Sequence, residues 1–257
     1  MSNYLSCSQI NCLFRCPREW VYKYILKYKD VPTDALRIGR VFHSLCEGKS
    51  IDDAFLAKEG LDLSFPWKPY LKTMYAGYMV VRDSLWKNYA TEFVFENRVI
   101  KLITDEIVTD DDGNWKILER KTAGRRDDNK PAMLTGDLQV NLYTAYKDQI
   151  AEELWLDPSK FQGVDYLISL KPMERRKKTE SVEEFSERFT SETDYHYVPK
   201  EVLNPDGAMN VMDFAHRIRS EIKETYATKP EARLIPCNTQ SCIRFGKPCP
   251  FFKECYK

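Results

Sequence analysis

The sequence predicts a mixed α/β fold. Three observations carry that expectation. Apolar residues recur at helical spacing through most of the first ninety positions. A stretch rich in Val, Ile and Phe then runs from residue 93 to 121, interrupted by one acidic turn. Helical and strand-like segments alternate after it, and this succession makes a layered α/β arrangement. No internal repeat or Pro/Gly/Ser-rich linker divides the 257 residues, so one domain over positions 1–257 is expected.

The elements follow in order. From Ser8 to Lys29, residues such as Ile10, Leu13, Phe14, Val21 and Ile25 share a helical spacing, with Ser8 as the expected N-cap. Pro17 predicts a break in that run and a second helix starting on its own first turn. Asp34 to Glu47 sets Ile38, Val41, Phe42 and Leu45 on one helix face and stops at Gly48. A helix from Pro69 to about Ala90 comes next. Phe93 to Val108 and Trp115 to Lys121 read as strands joined by Asp110-Asp111-Asp112-Gly113-Asn114, a strong turn signal. Asp137 to Trp155 reads as helix, Gly163 to Lys171 as strand and Val211 to Tyr226 as helix. Lys171 to Glu187 is dense in charge and reads as a mobile loop. The tail from Pro236 to Lys257 shows little periodicity and holds four cysteines.

Composition narrows the class. Hydrophobic residues reach 43%, which supports a packed core and argues against disorder. Lys+Arg and Asp+Glu both number 39, so any nucleic-acid partner must be held by a local basic surface. Met1 to Gln9 lacks the basic-then-apolar pattern of a secretory signal, and no apolar run approaches the roughly 18 residues of a membrane span. A cytoplasmic protein with no membrane partner is expected. Its eight cysteines are then expected to be reduced, so a concentration of them points to metal or catalysis.

The hairpin carries the chemistry. Side chains alternate along a strand, so Glu119 and Lys121 project from the same face. Asp105 stands seven positions before Asp112 and Glu119 seven after, which makes them cross-strand neighbours about 5 Å apart at Cβ. Two carboxylates that close repel and call for a cation. Oxygen ligands of this kind suit Mg²⁺ or Mn²⁺. Lys121 adds a positive charge able to orient water or stabilise charge on a phosphate. A Glu-x-Lys triplet alone is common on surface strands; the Asp at matching register is what singles this one out.

Asp105 followed by Glu119-Arg120-Lys121 resembles the Asp…Glu-x-Lys core of PD-(D/E)XK nucleases. Three further stretches resemble the RecB-type branch, which includes phage exonucleases and CRISPR-associated adaptation nucleases. Gly39-Arg40-Val41-Phe42-His43 is similar to its upstream helix, whose histidine is a metal ligand. Gln139-Val140-Asn141-Leu142-Tyr143 is similar to its Gln-x-x-x-Tyr helix. Ser8-Gln9-Ile10 to Cys16-Pro17-Arg18-Glu19-Trp20 is similar to its N-terminal segment. In one respect the pattern departs: Glu106 follows Asp105, where the family usually has an apolar residue.

The resemblance implies a restriction-endonuclease-like core, a central mixed sheet flanked by helices, with added N-terminal helices and a cysteine-rich tail. It implies a deoxyribonuclease, expected to act as an exonuclease on single-stranded DNA ends. His43, Asp105, Glu119 and the Arg120 carbonyl would hold Mg²⁺ or Mn²⁺, with Lys121, Gln139 and Tyr143 completing the catalytic set. A protein partner from recombination or CRISPR adaptation fits the same branch. The alternative is a non-catalytic DNA-binding module on this fold. Relatives that have lost activity usually lose an acid or the lysine, and both acids and Lys121 are present here.

Cys242, Cys249 and Cys255 are separated by Gly and Pro, which favours a wrapping loop. Thiolates gathered without a histidine suit a [4Fe–4S] cluster or zinc. The spacing is not a Cys-x-x-Cys knuckle, and structural zinc is the alternative. In iron–sulfur members of the branch a distant N-terminal cysteine supplies the fourth ligand, and Cys16 holds that position here. Cys237 is the rival, since local closure costs less loop entropy. Cys7, Cys12 and Cys46 are expected to be buried small hydrophobes. Two basic runs could meet phosphates: Arg120, Lys121, Arg125, Arg126 and Lys130, and Arg175, Arg176, Lys177 and Lys178 after Lys171. Of these, Arg175 to Lys178 are the DNA-binding candidates.

Overall fold

Side-chain caps start many of the helices, the first among them. The computed structural model describes residues 4–29, 31–127, 129, 133–244 and 247–255. Strand β1 (Leu5–Ser6) leads straight into helix α1 (Cys7–Arg15). Ser6, not the expected Ser8, is the cap: its backbone is extended and its hydroxyl accepts from the Gln9 amide at 3.3 Å. Cys16 interrupts the helix with an extended backbone, and α2 (Pro17–Trp20) restarts on Pro17. Cys16 therefore sits in the break between two helices, not inside one. A π-helical turn, Val21–Ile25, follows.

Beyond it come α3 (Asp34–Cys46), α4 (Asp53–Lys58) and α5 (Trp67–Asp83). Then come β2 (Lys87–Thr91), β3 (Val94–Glu96), β4 (Ile100–Ile103), β5 (Glu106–Thr109) and β6 (Trp115–Ala123). Helices α6 (Leu138–Ala145) and α7 (Lys147–Leu154) divide at Tyr146, where one continuous helix is expected. Strand β7 (Phe161–Leu170), helix α8 (Val182–Glu187), strand β8 (Thr193–Pro199) and the long helix α9 (Pro205–Thr228) complete the larger elements. Among the described residues no helix is long and apolar enough to cross a membrane.

The chain forms two compact units. One comprises Met1–Val31, Phe95–Leu102 and Asn204–Lys257; the other comprises Pro32–Val94 and Ile103–Leu203. In the first, β4 lies between β3 and β1 and pairs with β1 in parallel. Arg219 on α9 anchors β1 there by donating to the Tyr4 carbonyl at 3.0 Å.

The second unit is built on a five-stranded sheet in the order β2-β5-β6-β7-β8. Strands β6 and β7 are parallel and the other neighbours antiparallel, so the sheet is mixed. Ile38, Val41, Phe42, Leu71, Met74 and Tyr78 from α3 and α5 pack with Val108, Leu118 and Leu167 of the sheet. The β5–β6 register pairs Glu106 with Leu118 and Thr109 with Trp115, so the hairpin is centred on Asp112 as the sequence predicts. The turn is pinned by the Asp110 carboxylate, which accepts from the Asp112 and Asn114 amides. Gly163 on β7 has φ +138°, and a Cβ there would lie 2.3 Å from the Val198 carbonyl oxygen, so β7 can approach β8 only through glycine.

Both strands that the sequence hides, β2 and β8, are the sheet's edges. An edge strand carries polar residues and shows little apolar alternation, so its periodicity is weak. The expected helix to Ala90 stops at Asp83 for the same reason: β2 begins at Lys87. The charge-dense segment is irregular only through residue 181; a capping box of Ser181 and Glu184 then starts α8 at Val182.

A buried ion pair ties the middle strands together. The Lys116 ammonium lies 3.3 Å from Asp165 and over the rings of Trp86 and Tyr197, at 4.4 and 4.1 Å. The Tyr195 hydroxyl donates to the same carboxylate at 3.1 Å. Removing one partner leaves the other charge buried and alone. Asp165→Ala is therefore expected to cost about 3–5 kcal/mol of stability. At roughly 2–4 °C per kcal/mol for a unit of this size, melting should fall by on the order of 10 °C. A calorimetric scan that finds no fall would show the pair is dispensable.

Candidate active site

The hairpin brings Asp105 to the end of the β5–β6 ladder, opposite Glu119. Its carboxylate is almost fully buried and accepts from the Arg120 backbone amide at 2.7 Å. Glu106 points the other way. It accepts from the Tyr78 hydroxyl at 2.5 Å and from Arg82 at 3.1 Å, and Arg120 Nη1 lies 3.6 Å away. Strand alternation thus separates the two adjacent acids: Asp105 serves the Glu119 side and Glu106 anchors the core. The Arg120 side chain, fully buried, lies 3.5 Å from Glu92 and 3.9 Å from Asp105.

Helix α3 supplies His43, whose Nδ1 lies 3.2 Å from Asp105 Oδ1. Glu92 joins them: ligand atoms of His43, Glu92 and Asp105 all lie within 4.8 Å of one another. Burial would raise the Asp105 carboxyl, but its hydrogen bond to His43 and the charges of His43, Arg120 and Lys121 hold it below the ordinary value. Glu92 is pushed up by burial, then by the charges of Glu47 and Asp105. One imidazole facing several carboxyls that repel one another is a donor set that fits a hard divalent cation. Glu92 was not foreseen from the sequence. It is an isolated acid on an irregular link, with a left-handed backbone at φ +53°, and its amide donates to the Asp105 carbonyl at 3.0 Å. Only that folded backbone pairing brings it in.

Glu119 is fully buried beside this group. Lys121 donates to its Oε2 at 2.6 Å, while Gln139 Nε2 and the Tyr143 hydroxyl reach Oε1 at 3.0 and 2.5 Å. The expected i, i+4 face of α6 is thus the clamp that orients this carboxylate. Burial, the largest influence, raises Glu119, with Lys121 opposing. Burial works against the Lys121 ammonium, but Glu119 and Asp105 outweigh it and raise its pKa. A cleft of about 820 Å³ opens here, with His43, Glu92, Lys121 and Thr122 in its lining.

Arg175, Arg176, Lys177 and Lys178 are exposed and lie outside that lining. Arg176 donates to the Glu180 carbonyl at 3.0 Å, and Glu180 also holds Arg188 and the Lys177 amide. Arg126 pairs with Asp194 at 2.5 Å. Lys130 lies outside the described residues.

Seven of the eight cysteines, all but Cys46, belong to the first unit. Cys16 is buried at the α1–α2 break, while Cys237, Cys242, Cys249 and Cys255 are half-buried. The Cys249 amide donates to the Cys242 carbonyl at 2.7 Å. Burial raises the Cys255 thiol, Arg18 opposes it, and Cys16 and Cys249 add to the rise, so the three thiols lie within electrostatic reach. The tail is stitched to the N-terminal helices around them. Ser241 donates to the Arg15 carbonyl at 3.0 Å, Arg18 to the Ile235 carbonyl at 2.9 Å and Tyr22 to the Glu254 carbonyl at 3.0 Å. Of the cysteines expected to be buried, Cys12 is, whereas Cys7 and Cys46 are partly exposed. A set of thiols with no histidine suits a thiophilic centre.

A search of curated proteins returns no match to the chain. The sequence profile of the PD-(D/E)XK nuclease superfamily, by contrast, matches residues 4–251, a span that includes the hairpin acids, Lys121, His43 and the Gln139–Tyr143 helix. With a mixed sheet flanked by helices and a His/carboxylate group able to hold a divalent metal, the chain belongs to the PD-(D/E)XK nuclease superfamily, whose members are generally metal-dependent nucleases.

Proposed function

We propose that this protein is a metal-dependent deoxyribonuclease of the RecB-type branch, cutting DNA at single-stranded ends in the cytoplasm. The observation that carries the reading is the juxtaposition of His43 and Asp105 at 3.2 Å with the clamped Glu119–Lys121 pair next to them. His43, Asp105, Glu119 and the Arg120 carbonyl would hold Mg²⁺ or Mn²⁺, with Glu92 as an added ligand. A bound cation of this kind polarises a phosphate oxygen and makes water a nucleophile at neutral pH. The chain's own residues do the rest. The Arg120 amide fixes Asp105, Gln139 and Tyr143 fix Glu119, and Lys121 offers its charge to the phosphate as negative charge builds in the transition state. Arg175 to Lys178 supply exposed charge for DNA outside the cleft.

The gathered thiols support a [4Fe–4S] cluster held by Cys16, Cys242, Cys249 and Cys255, with structural zinc as the competing occupant. A recombination or CRISPR-adaptation protein is the partner this branch suggests.

Labelled single-stranded DNA tests the enzyme reading. Cleavage should require Mg²⁺ or Mn²⁺ and stop on chelation. Lys121→Ala should keep binding and lose cleavage by about 10²-fold or more. DNA that is bound but never cut by the wild-type protein would favour a non-catalytic binding module.

A further inference from the structure

The cleft over the hairpin acids is lined by Glu47, Glu59 and Glu92 and by three cations, Arg40, Lys121 and Lys171. Lys121 is engaged by Glu119. Arg40 and Lys171 line the same cleft, and among the described residues neither forms an ion pair with a carboxylate. Arg40 precedes His43 by three positions on α3, so both project from one helix face. Lys171 follows β7 directly, and its amide donates to the Ala123 carbonyl, at the end of the strand that carries Glu119 and Lys121. Its side chain crosses to the first turn of α3, where Nζ donates to the Ala35 carbonyl at 3.3 Å.

Lys171 also borders a second cleft of about 510 Å³, shared with Arg125 and Met173, so it stands where two grooves join. Burial holds its ammonium below the ordinary value, with no acid to offset the loss of water. A half-desolvated cation without an acid partner, at the mouth of a nuclease cleft, is a place for an anion.

We infer that Arg40 and Lys171 bind a phosphate of the substrate strand other than the one being cut, and so set how the strand is seated across the hairpin. This rests on the nuclease reading and adds the substrate contacts of the same cleft. The scissile phosphate belongs beside Asp105, Glu119 and Lys121; a neighbouring phosphate of the same strand meets Arg40 and Lys171 as the strand leaves toward the second groove. Contacts to uncut phosphates position a chain and carry no base information.

The test uses the full chain and fluorescent single-stranded DNA, with binding read by anisotropy in Ca²⁺ across a salt series and cleavage read in Mn²⁺. Arg40→Ala and Lys171→Ala are each expected to weaken binding about tenfold and to reduce the salt slope by about 0.7. KM should rise with kcat nearly unchanged, and Lys171→Arg should restore binding. Lys68→Ala, whose charge is already paired with Asp53, serves as the control for nonspecific charge loss. If Lys171 only straps its loop to α3, Lys171→Ala will lower the melting temperature and leave the salt slope unchanged, which overturns the inference. Wild-type KM and salt slope in both variants, in a protein that cleaves DNA, also overturn it while leaving the nuclease reading intact. A wild-type protein that binds DNA without cutting it, and loses binding in both variants, sinks the nuclease reading alone.

Discussion

Asp105→Ala and Glu119→Ala are each expected to abolish Mg²⁺- or Mn²⁺-dependent cleavage, with losses of at least about 10³-fold. Each carboxylate does two jobs, and the variants must separate them. Asp105 accepts the Arg120 amide at 2.7 Å, and Glu119 accepts from Lys121, Gln139 and Tyr143. Alanine removes these bonds along with the charge. Asp105→Asn and Glu119→Gln keep shape and most hydrogen bonding while removing the charge a cation needs. Loss of cleavage in all four variants, with circular dichroism and melting temperature near wild type in the Asn and Gln pair, is the expected pattern. Full activity in Asp105→Asn and Glu119→Gln would show that neither carboxylate holds the metal.

The second large effect concerns the thiols. Protein purified without oxygen is expected to be brown, with about four iron and four sulfide per chain. Cys16→Ala should bleach it and lower its stability, with activity falling as folded protein is lost. Coordination joining Cys16 to Cys255 would close a loop over most of the chain. By the argument used for cross-links, so long a loop restricts the unfolded ensemble by about 5 kcal/mol. Cys16 is suited to this: it is buried, it sits where the helix breaks, and Cys255 lies within its electrostatic reach. Cys237→Ala should be much milder. A colourless protein carrying one zinc, or failure of Cys237→Ala while Cys16→Ala behaves normally, would overturn the assignment.

Register in the β5–β6 hairpin was readable because Asp110-to-Asn114 turn chemistry pins the centre of symmetry, and alternation then decides between Asp105 and Glu106. Spacing alone also exposed the Gln139–Tyr143 face, since i, i+4 residues share a side whatever the helix packs against. Glu92 was not readable. Its role depends on a left-handed backbone and on one amide meeting Asp105, neither of which leaves a periodic trace. The edge strands β2 and β8 escaped because the alternation that marks a strand comes from burial, which edges have least of. Ser8 was the wrong cap because a two-residue strand places Ser6 in the extended conformation a cap needs.

The order in which the units are threaded has a consequence for synthesis. The unit that holds the hairpin is complete in the nascent chain once Leu203 has left the ribosome. The unit that holds the N-terminal helices waits for its last and longest segment, Asn204–Lys257, although its first residues are made earliest. Those helices must spend translation without α9 and the tail, with Ile10, Leu13 and Trp20 less covered than in the finished fold. A ribosome stalled after residue 203 would therefore carry the complete five-stranded sheet together with N-terminal helices open to chaperones and proteases, and C-terminal truncation would leave the finished protein in the same state.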